Sequence, residues 1–96
     1  MLRTAEDAKQ PFLFRITPGN VKTVGRAPRA DFVVDAALVS RLHCRFTLDE
    51  LDRLGVEDLG STNGTFVNGS KVDRAPLLQG DRVKVGRVEF EVRAEE

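Results

Sequence analysis

The sequence is poorest in the residues that staple small domains together. Its 96 residues hold one cysteine and one histidine, so an internal disulfide is excluded and Cys and His cannot close a zinc site. Net charge is missing too. Fifteen basic residues balance fifteen acidic ones, whereas a protein that grips long polyanions carries a basic excess over the whole domain. No apolar run is long enough to cross a bilayer as a helix, and residues 1–10 lack the apolar centre of a secretion signal. Nor does any long segment repeat its apolar residues at helical spacing. These absences argue against nucleic acid, membrane and metal as partners. They leave a soluble, cytoplasmic single domain with no cofactor as the expectation.

What is present suits β-structure. Hydrophobic residues make up 41% of the chain and charged residues 31%, an ordinary globular balance. Valine is the most frequent apolar residue and there are six phenylalanines; both fit a pleated, half-buried surface. Eight glycines and four prolines punctuate the chain at short intervals. The pattern predicts an all-β fold, a small sandwich or barrel, in which two sheets can bury their apolar faces against each other.

Residues 1–11 are polar and close on Pro11, and read as a flexible tail; residues 12–96 read as the sandwich. Strands are expected over 12–16, 21–24, 32–34, 42–48, 53–58, 65–67, 71–72, 82–85 and 88–92. The clearest alternation puts Leu42, Cys44, Phe46 and Leu48 on the core face, with His43, Arg45 and Thr47 outward. Residues 35–39 are alanine-rich but too short for a free-standing helix and read as a loop. Asn68-Gly69 is a strong hairpin signal, since both residues tolerate positive φ.

Three loop clusters offer chemistry: Gly25-Arg26, Ser40-Arg41-Leu42-His43, and Ser61-Thr62-Asn63-Gly64-Thr65 with Asn68-Gly69. Loops on a rigid scaffold are where binding residues concentrate. Arginine's planar fork matches phosphate oxygens, and a serine hydroxyl donates a further bond. Other readings of the same residues fare worse. The Ser40/His43 pair suggests a nucleophile and base, but strand alternation separates residues three apart, and no third residue orients His43. The 60–64 loop lacks the lysine and following helix of a nucleotide-binding loop. Asn63-Gly64-Thr65 and Asn68-Gly69-Ser70 fit the glycosylation sequon, yet without a secretion signal turn chemistry explains them better. Cys44, on the inward face, reads as an inert core thiol.

Taken in order and spacing, these clusters resemble the forkhead-associated (FHA) domain. The match runs through Gly25-Arg26, Ser40-Arg41-Leu42-His43, and the stretch from Asp58 to Gly69, with Gly80-Asp81-Arg82-Val83 and Gly86 as closing elements. The resemblance implies a twisted two-sheet antiparallel β-sandwich with functional loops at one end, a phosphothreonine-binding module that recruits partners in signalling, downstream of a Ser/Thr kinase. By position it implies that Arg26 and Ser40 contact the phosphate with Arg41 beside them. It implies further that Thr62 shapes the pocket and Asn63 holds the peptide backbone, while Gly25, His43, Asn68 and Gly69 support the loops. Cys44 stands where the family usually has alanine, and Arg29 adds a charge that the motif does not demand. The alternatives are a phosphate-independent interaction domain working through a sheet face, and a small Ser/His hydrolase.

Thr4 carries a further expectation. Asp7 follows it by three residues, a pattern found in ligands of this family, so Thr4 is a candidate regulatory phosphosite for phosphorylation-dependent self-association. Finally, charge is segregated along the chain. Residues 21–47 carry Lys22, Arg26, Arg29, Arg41 and Arg45 against Asp31 and Asp35, while residues 85–96 carry two arginines against four glutamates. That local imbalance favours one compact phosphate over a long polyanion.

Overall fold

Alternating valines and phenylalanines build the molecule strand by strand, each giving every second side chain to the interior. The structure, a computed structural model, describes residues 2–4 and 13–93. Eleven strands run through the described residues: β1 (Leu2–Thr4), β2 (Leu13–Phe14), β3 (Asn20–Gly25), β4 (Phe32–Val33), β5 (Cys44–Leu48), β6 (Leu54–Asp58), β7 (Thr65–Val67), β8 (Ser70–Val72), β9 (Arg74–Leu77), β10 (Arg82–Val85) and β11 (Val88–Val92). They form a six-stranded sheet in the order β2-β1-β11-β10-β7-β8 and a five-stranded sheet in the order β4-β3-β5-β6-β9. Neighbours are antiparallel except β3 and β4, which pair in parallel at an edge. No helix among the described residues is long and apolar enough to cross a membrane.

The core lies between the sheets. Val24, Cys44, Phe46, Val56 and Leu77 of the five-stranded sheet meet Val83, Val85, Phe90 and Val92 of the other. Burying each such side chain contributes about 1.5–3 kcal/mol. Along one open side, Phe14 of β2 stacks on Phe32 of β4, with ring centroids 4.3 Å apart and planes within 7°. That pair ties the edge strands of the two sheets together.

Register gathers the loops that matter. Val24 pairs with Cys44 and Cys44 with Asp58, while Thr65 pairs with Val85. The segments after Gly25, before Cys44, between Asp58 and Thr65, and after Val85 therefore leave the sandwich at one end. At the hairpin between β7 and β8, Asn68 (φ +50°) and Gly69 (φ +86°) adopt the expected left-handed turn.

Several expectations need correction. Alternation in the fifth strand starts at Cys44, not Leu42; His43 is fully buried and Leu42 only half-buried. His43 lies outside the strand, where the ring turns inward to meet two backbone groups described below. Strand β9 was not foreseen, because Arg74-Ala75-Pro76-Leu77 neither alternates cleanly nor suits a central strand. Its proline is accommodated because β9 is an edge strand, with Pro76 opposite Gly55. Leu2–Thr4, expected within the polar tail, form a strand between β2 and β11, with Thr4 opposite Phe90. The rest of that tail and Phe12 lie outside the described residues.

Candidate functional site

At the loop end, an open depression of about 430 Å³ is lined by Arg26, Ser40, Thr62 and Asn63 together with residues 35–39. Four of the five residues expected to bind ligand thus converge on one place from three separate loops. The fifth, Arg41, is exposed but does not line the depression. Its backbone carbonyl instead accepts the Ala27 N–H at 3.1 Å.

Backbone packing sets Arg26 against Ser40. The Arg26 N–H donates to the Ser40 carbonyl at 2.9 Å. Gly25 permits this approach, since a Cβ there would lie 2.0 Å from the Arg41 carbonyl oxygen. Only glycine fits so close to another backbone. The Arg26 side chain is then aimed by its Nε, which donates to the Val39 carbonyl at 3.1 Å. Both terminal guanidinium nitrogens, the pair suited to a phosphate, bond to no other described residue. Ser40 is positioned just as closely. Its Oγ accepts the Thr62 N–H at 3.0 Å, which leaves its own proton to donate to a ligand.

His43 is the clamp between the loops. Its Nδ1 accepts the Ser40 N–H at 3.0 Å, so the proton sits on Nε2, which donates to the Gly64 carbonyl at 2.8 Å. Both ring nitrogens are thus spent on backbone groups, and neither faces the Ser40 hydroxyl. That arrangement gives the Ser/His pair no base for a nucleophile. Among the described residues no three His, Cys, Asp or Glu side chains come together as a metal site.

Asn63 and the 60–64 loop are held from both sides. The Asn63 Nδ2 donates to the Leu38 carbonyl at 3.1 Å, leaving its Oδ1 as an acceptor with no bond among the described residues. Beneath the loop, Asp58 accepts bonds from the Gly60 and Ser61 N–H groups and from the Ser61 and Thr65 hydroxyls. Partial burial pushes the Asp58 carboxyl up, but these hydrogen bonds outweigh it and hold the group below the usual carboxylate range. The Thr23 backbone N–H, then its hydroxyl, hold Asp31 down in the same sense, pinning the loop after Arg26. Cys44 lies under the site as a core thiol; burial, with help from the Asp58 charge, pushes it up to about 12.

Sequence reasoning placed two residues within the family match without giving them a supporting role. Asp58 carries a local signal, an aspartate followed at short range by Gly60 and Ser61, which is turn-forming chemistry. Gly86 carries none. With φ +61°, it packs its turn against the 37–39 wall, where a Cβ would meet the Val39 side chain at 2.9 Å and the Ala37 carbonyl oxygen at 3.0 Å. Asn68, expected to support the loops, makes its bonds to the segment that opens β10. Its N–H donates to the Arg82 carbonyl, its Oδ1 accepts the Arg82 N–H, and its Nδ2 donates to Asp81. Asn68-Gly69 therefore fastens the β7–β8 hairpin to the start of β10, and neither residue lines the depression.

Comparison with known proteins agrees with this geometry. The FHA domain family model matches residues 22–86. The glycogen accumulation regulator GarA of Mycobacterium tuberculosis is 42% identical over 67 residues, which span 70% of this chain and 41% of GarA. An oxoglutarate dehydrogenase inhibitor of Corynebacterium glutamicum is 37% identical over 65 residues, 68% of this chain and 45% of the inhibitor. The chain thus spans less than half the length of these relatives. Among solved structures, the FHA domain of the Chlamydia trachomatis CT664 protein superposes with a TM-score of 0.90 at 28% identity, covering 99% of this chain and 96% of that one. The FhaA FHA domain, solved with the intracellular domain of Rv3910, gives 0.80 at 32% identity, covering 96% and 97%. From the glycine-permitted approach of Arg26 to Ser40 through the His43 clamp to the matched span of sequence, the chain belongs to the FHA domain family.

Proposed function

We propose that this domain binds phosphothreonine peptides and so recruits a protein phosphorylated by an upstream Ser/Thr kinase, inside the cell and without turnover. One observation carries the reading: Arg26, Ser40, Thr62 and Asn63 converge on one open depression with guanidinium and hydroxyl donors that the fold leaves unspent. In this reading Arg26 and Ser40 take the phosphate oxygens, the Asn63 carbonyl oxygen takes the backbone N–H just beyond, and Thr62 shapes the pocket. Arg41, beside Ser40 in the chain, adds positive charge at longer range, and Gly25 and His43 hold the loops. Charge-assisted bonds are worth about 1.5–3 kcal/mol each, so two or three supply most of the roughly −8 kcal/mol of a micromolar complex. Two similarities support it. A phosphothreonine-dependent FHA domain superposes with a TM-score of 0.82 at 30% identity, and the related GarA is a glycogen accumulation regulator while the other relative is an oxoglutarate dehydrogenase inhibitor.

The test is a calorimetric titration with one peptide carrying phosphothreonine, phosphoserine or plain threonine. Binding of the phosphothreonine form alone, weakened about tenfold or more by Arg26→Ala or Ser40→Ala, is the expected result. Equal binding of all three forms would overturn it in favour of a phosphate-independent surface. Self-association through phosphorylated Thr4 carries an added cost, since Thr4 must first leave its pairing with Phe90. A phosphorylated sample that stays monomeric with unshifted loop NMR signals would sink that extension.

A further inference from the structure

A second face of the molecule carries a pattern that the phosphate site does not use. In the five-stranded sheet Cys44, Phe46, Val56 and Leu77 point into the core, so the residues between them point out. On that outer side lies a shallow groove of about 480 Å³ whose lining includes Thr47, Gly55 and Pro76. Register makes them one continuous row. Val21 of β3 pairs with Thr47 of β5, Thr47 with Gly55 of β6, and Gly55 with Pro76 of β9. No member of the row is charged, and Val21 at its end keeps 51% of its surface exposed.

Gly55 is the informative member. Glycine weakens a strand interior and packs nothing. The fold does not demand it here, since a Cβ at this position would meet only the Ala75 carbonyl oxygen, at an ordinary 3.5 Å. Gly25 and Gly86 differ, because an added Cβ there runs into the domain itself. A strand glycine that its own domain can do without is a common mark of another backbone coming close from outside.

Charge indicates what comes. Two residues to one side of the row stand Arg45, Glu57 and Arg74, neighbours across the sheet. Two residues to the other side stand Asp49 and Arg53, joined by the Asp49 N–H to the Arg53 carbonyl at 3.0 Å. All five line the groove. Along β5 the order is Arg45, Thr47, Asp49, and along β6 it is Arg53, Gly55, Glu57. Each strand thus places opposite charges at equal distances from the row. A two-fold axis laid along the row sets Arg45 against the second copy's Asp49, and Glu57 against the second copy's Arg53. Arg74 then comes opposite Leu78, an exposed leucine that suits the arginine's aliphatic stem. Within one copy Arg45 already bonds Glu57, and Arg53 bonds Asp49. Stacking the pairs makes rings of four alternating charges and breaks neither pair. An axis along the strands would instead set Glu57 against itself. Such self-complementarity is what a closed two-fold interface requires.

We infer that this face is a homodimer interface, on which a second copy of the chain packs its five-stranded sheet about an axis along the Val21-Thr47-Gly55-Pro76 row. Four strands about 4.8 Å apart and five residues at about 3.4 Å each give a contact of roughly 300–400 Å² per copy. That is the low end for specific complexes, so the dimer is weak and reversible. Because the axis crosses the strands, the loop ends of the two copies point in opposite directions. A dimer therefore offers its two depressions to two separate partners. The association itself does not depend on what those depressions bind.

The experiment is sedimentation equilibrium of the protein from about 10 μM to about 1 mM, with a dissociation constant on the order of 100 μM expected. On dilution, amide NMR signals should shift at Val21, Thr47 and Gly55 and stay still at Arg26 and Ser40. Gly55→Lys, for which the domain has room, should keep the wild-type circular dichroism spectrum and abolish the dimer. Arg53→Glu should weaken it about tenfold or more by setting like charge against the second copy's Glu57. The double variant Arg53→Glu/Glu57→Arg should recover most of that loss; exposed ion pairs contribute little to the fold, so both variants stay folded. A monomer throughout the range, a dimer that Gly55→Lys leaves intact, or a double variant no better than Arg53→Glu alone would each overturn the inference.

Discussion

Gly25→Ala offers the most direct challenge to the way fold and site are joined. An alanine Cβ at this position would lie 2.0 Å from the Arg41 carbonyl oxygen, 2.7 Å from the carbonyl carbon and 2.9 Å from the Leu42 Cα. All three atoms are backbone, so none can rotate aside. Relief requires the end of β3 to part from residues 41–42 by about 1 Å or more. That movement breaks the bonds from Arg26 N–H to the Ser40 carbonyl and from Ala27 N–H to the Arg41 carbonyl. Each lost bond costs about 0.5–1.5 kcal/mol, and overpacking a tight contact adds about 1–3 kcal/mol. The expected destabilisation is therefore about 2–6 kcal/mol, a large share of a small domain's total. Because the chain has no Trp or Tyr, urea unfolding is followed by far-UV circular dichroism, where the midpoint should fall by roughly 1–3 M. At low temperature, where part of the protein stays folded, phosphopeptide affinity per folded molecule should also drop, since Arg26 and Ser40 no longer face one oxyanion together. A midpoint within about 0.3 M of wild type, with unchanged affinity, would refute the claim that close backbone approach builds this site.

Three further outcomes are expected. Asp58 is the weaker base in the folded protein, so the unfolded chain binds more protons as the pH drops. Its contribution is complete above the unfolded carboxylate value of about 3.9 and is lost as the pH falls through its lower folded value. Urea midpoints between pH 2 and 5 should consequently decline less steeply in Asp58→Asn than in wild type, although Asp31 and Asp49, also held low, keep some of the slope in both; identical slopes would contradict the Asp58 hub. His43→Ala removes a buried ring and strands the Ser40 N–H and Gly64 carbonyl, for a loss of about 2–4 kcal/mol by urea unfolding with weakened phosphopeptide binding; wild-type stability would show that the clamp is dispensable. Cys44, buried and pushed up to about 12, should ignore a disulfide reagent at pH 8 until urea unfolds the domain, and prompt labelling in buffer would mean the core is open there.

Much of this was legible in advance because its causes are local. The hairpin at Asn68-Gly69 follows from two adjacent residues that accept positive φ. The alternation from Cys44 to Leu48 follows from the two-residue period of a strand. The grouping of Arg26, Ser40, Thr62 and Asn63 was legible for another reason: their order and spacing resemble a known family. Arg41 and Asn68 show the limit of that route, since motif membership placed the first beside the phosphate contacts and gave the second a loop-supporting role. The structure gives the first a backbone contact behind the site and the second a fastening role at β10.

What remained illegible depended on partners far along the chain. His43 reads as an outward strand residue until Gly64, 21 residues later, supplies the acceptor that lets its ring be buried. Leu38, at φ +71°, has no local reason to be left-handed; Asn63, 25 residues on, and the Gly86 turn hold it so. Pro76 argues against a strand until the sheet order makes β9 an edge. By itself, then, the sequence determined an all-β sandwich of short strands and the residues able to take a phosphate, because pattern, turn chemistry and family motif are written along the chain. Only the tertiary structure decided which of those residues share a depression and which hold it up. Burial, close backbone approach and the pairing of polar groups are settled between segments, not within them.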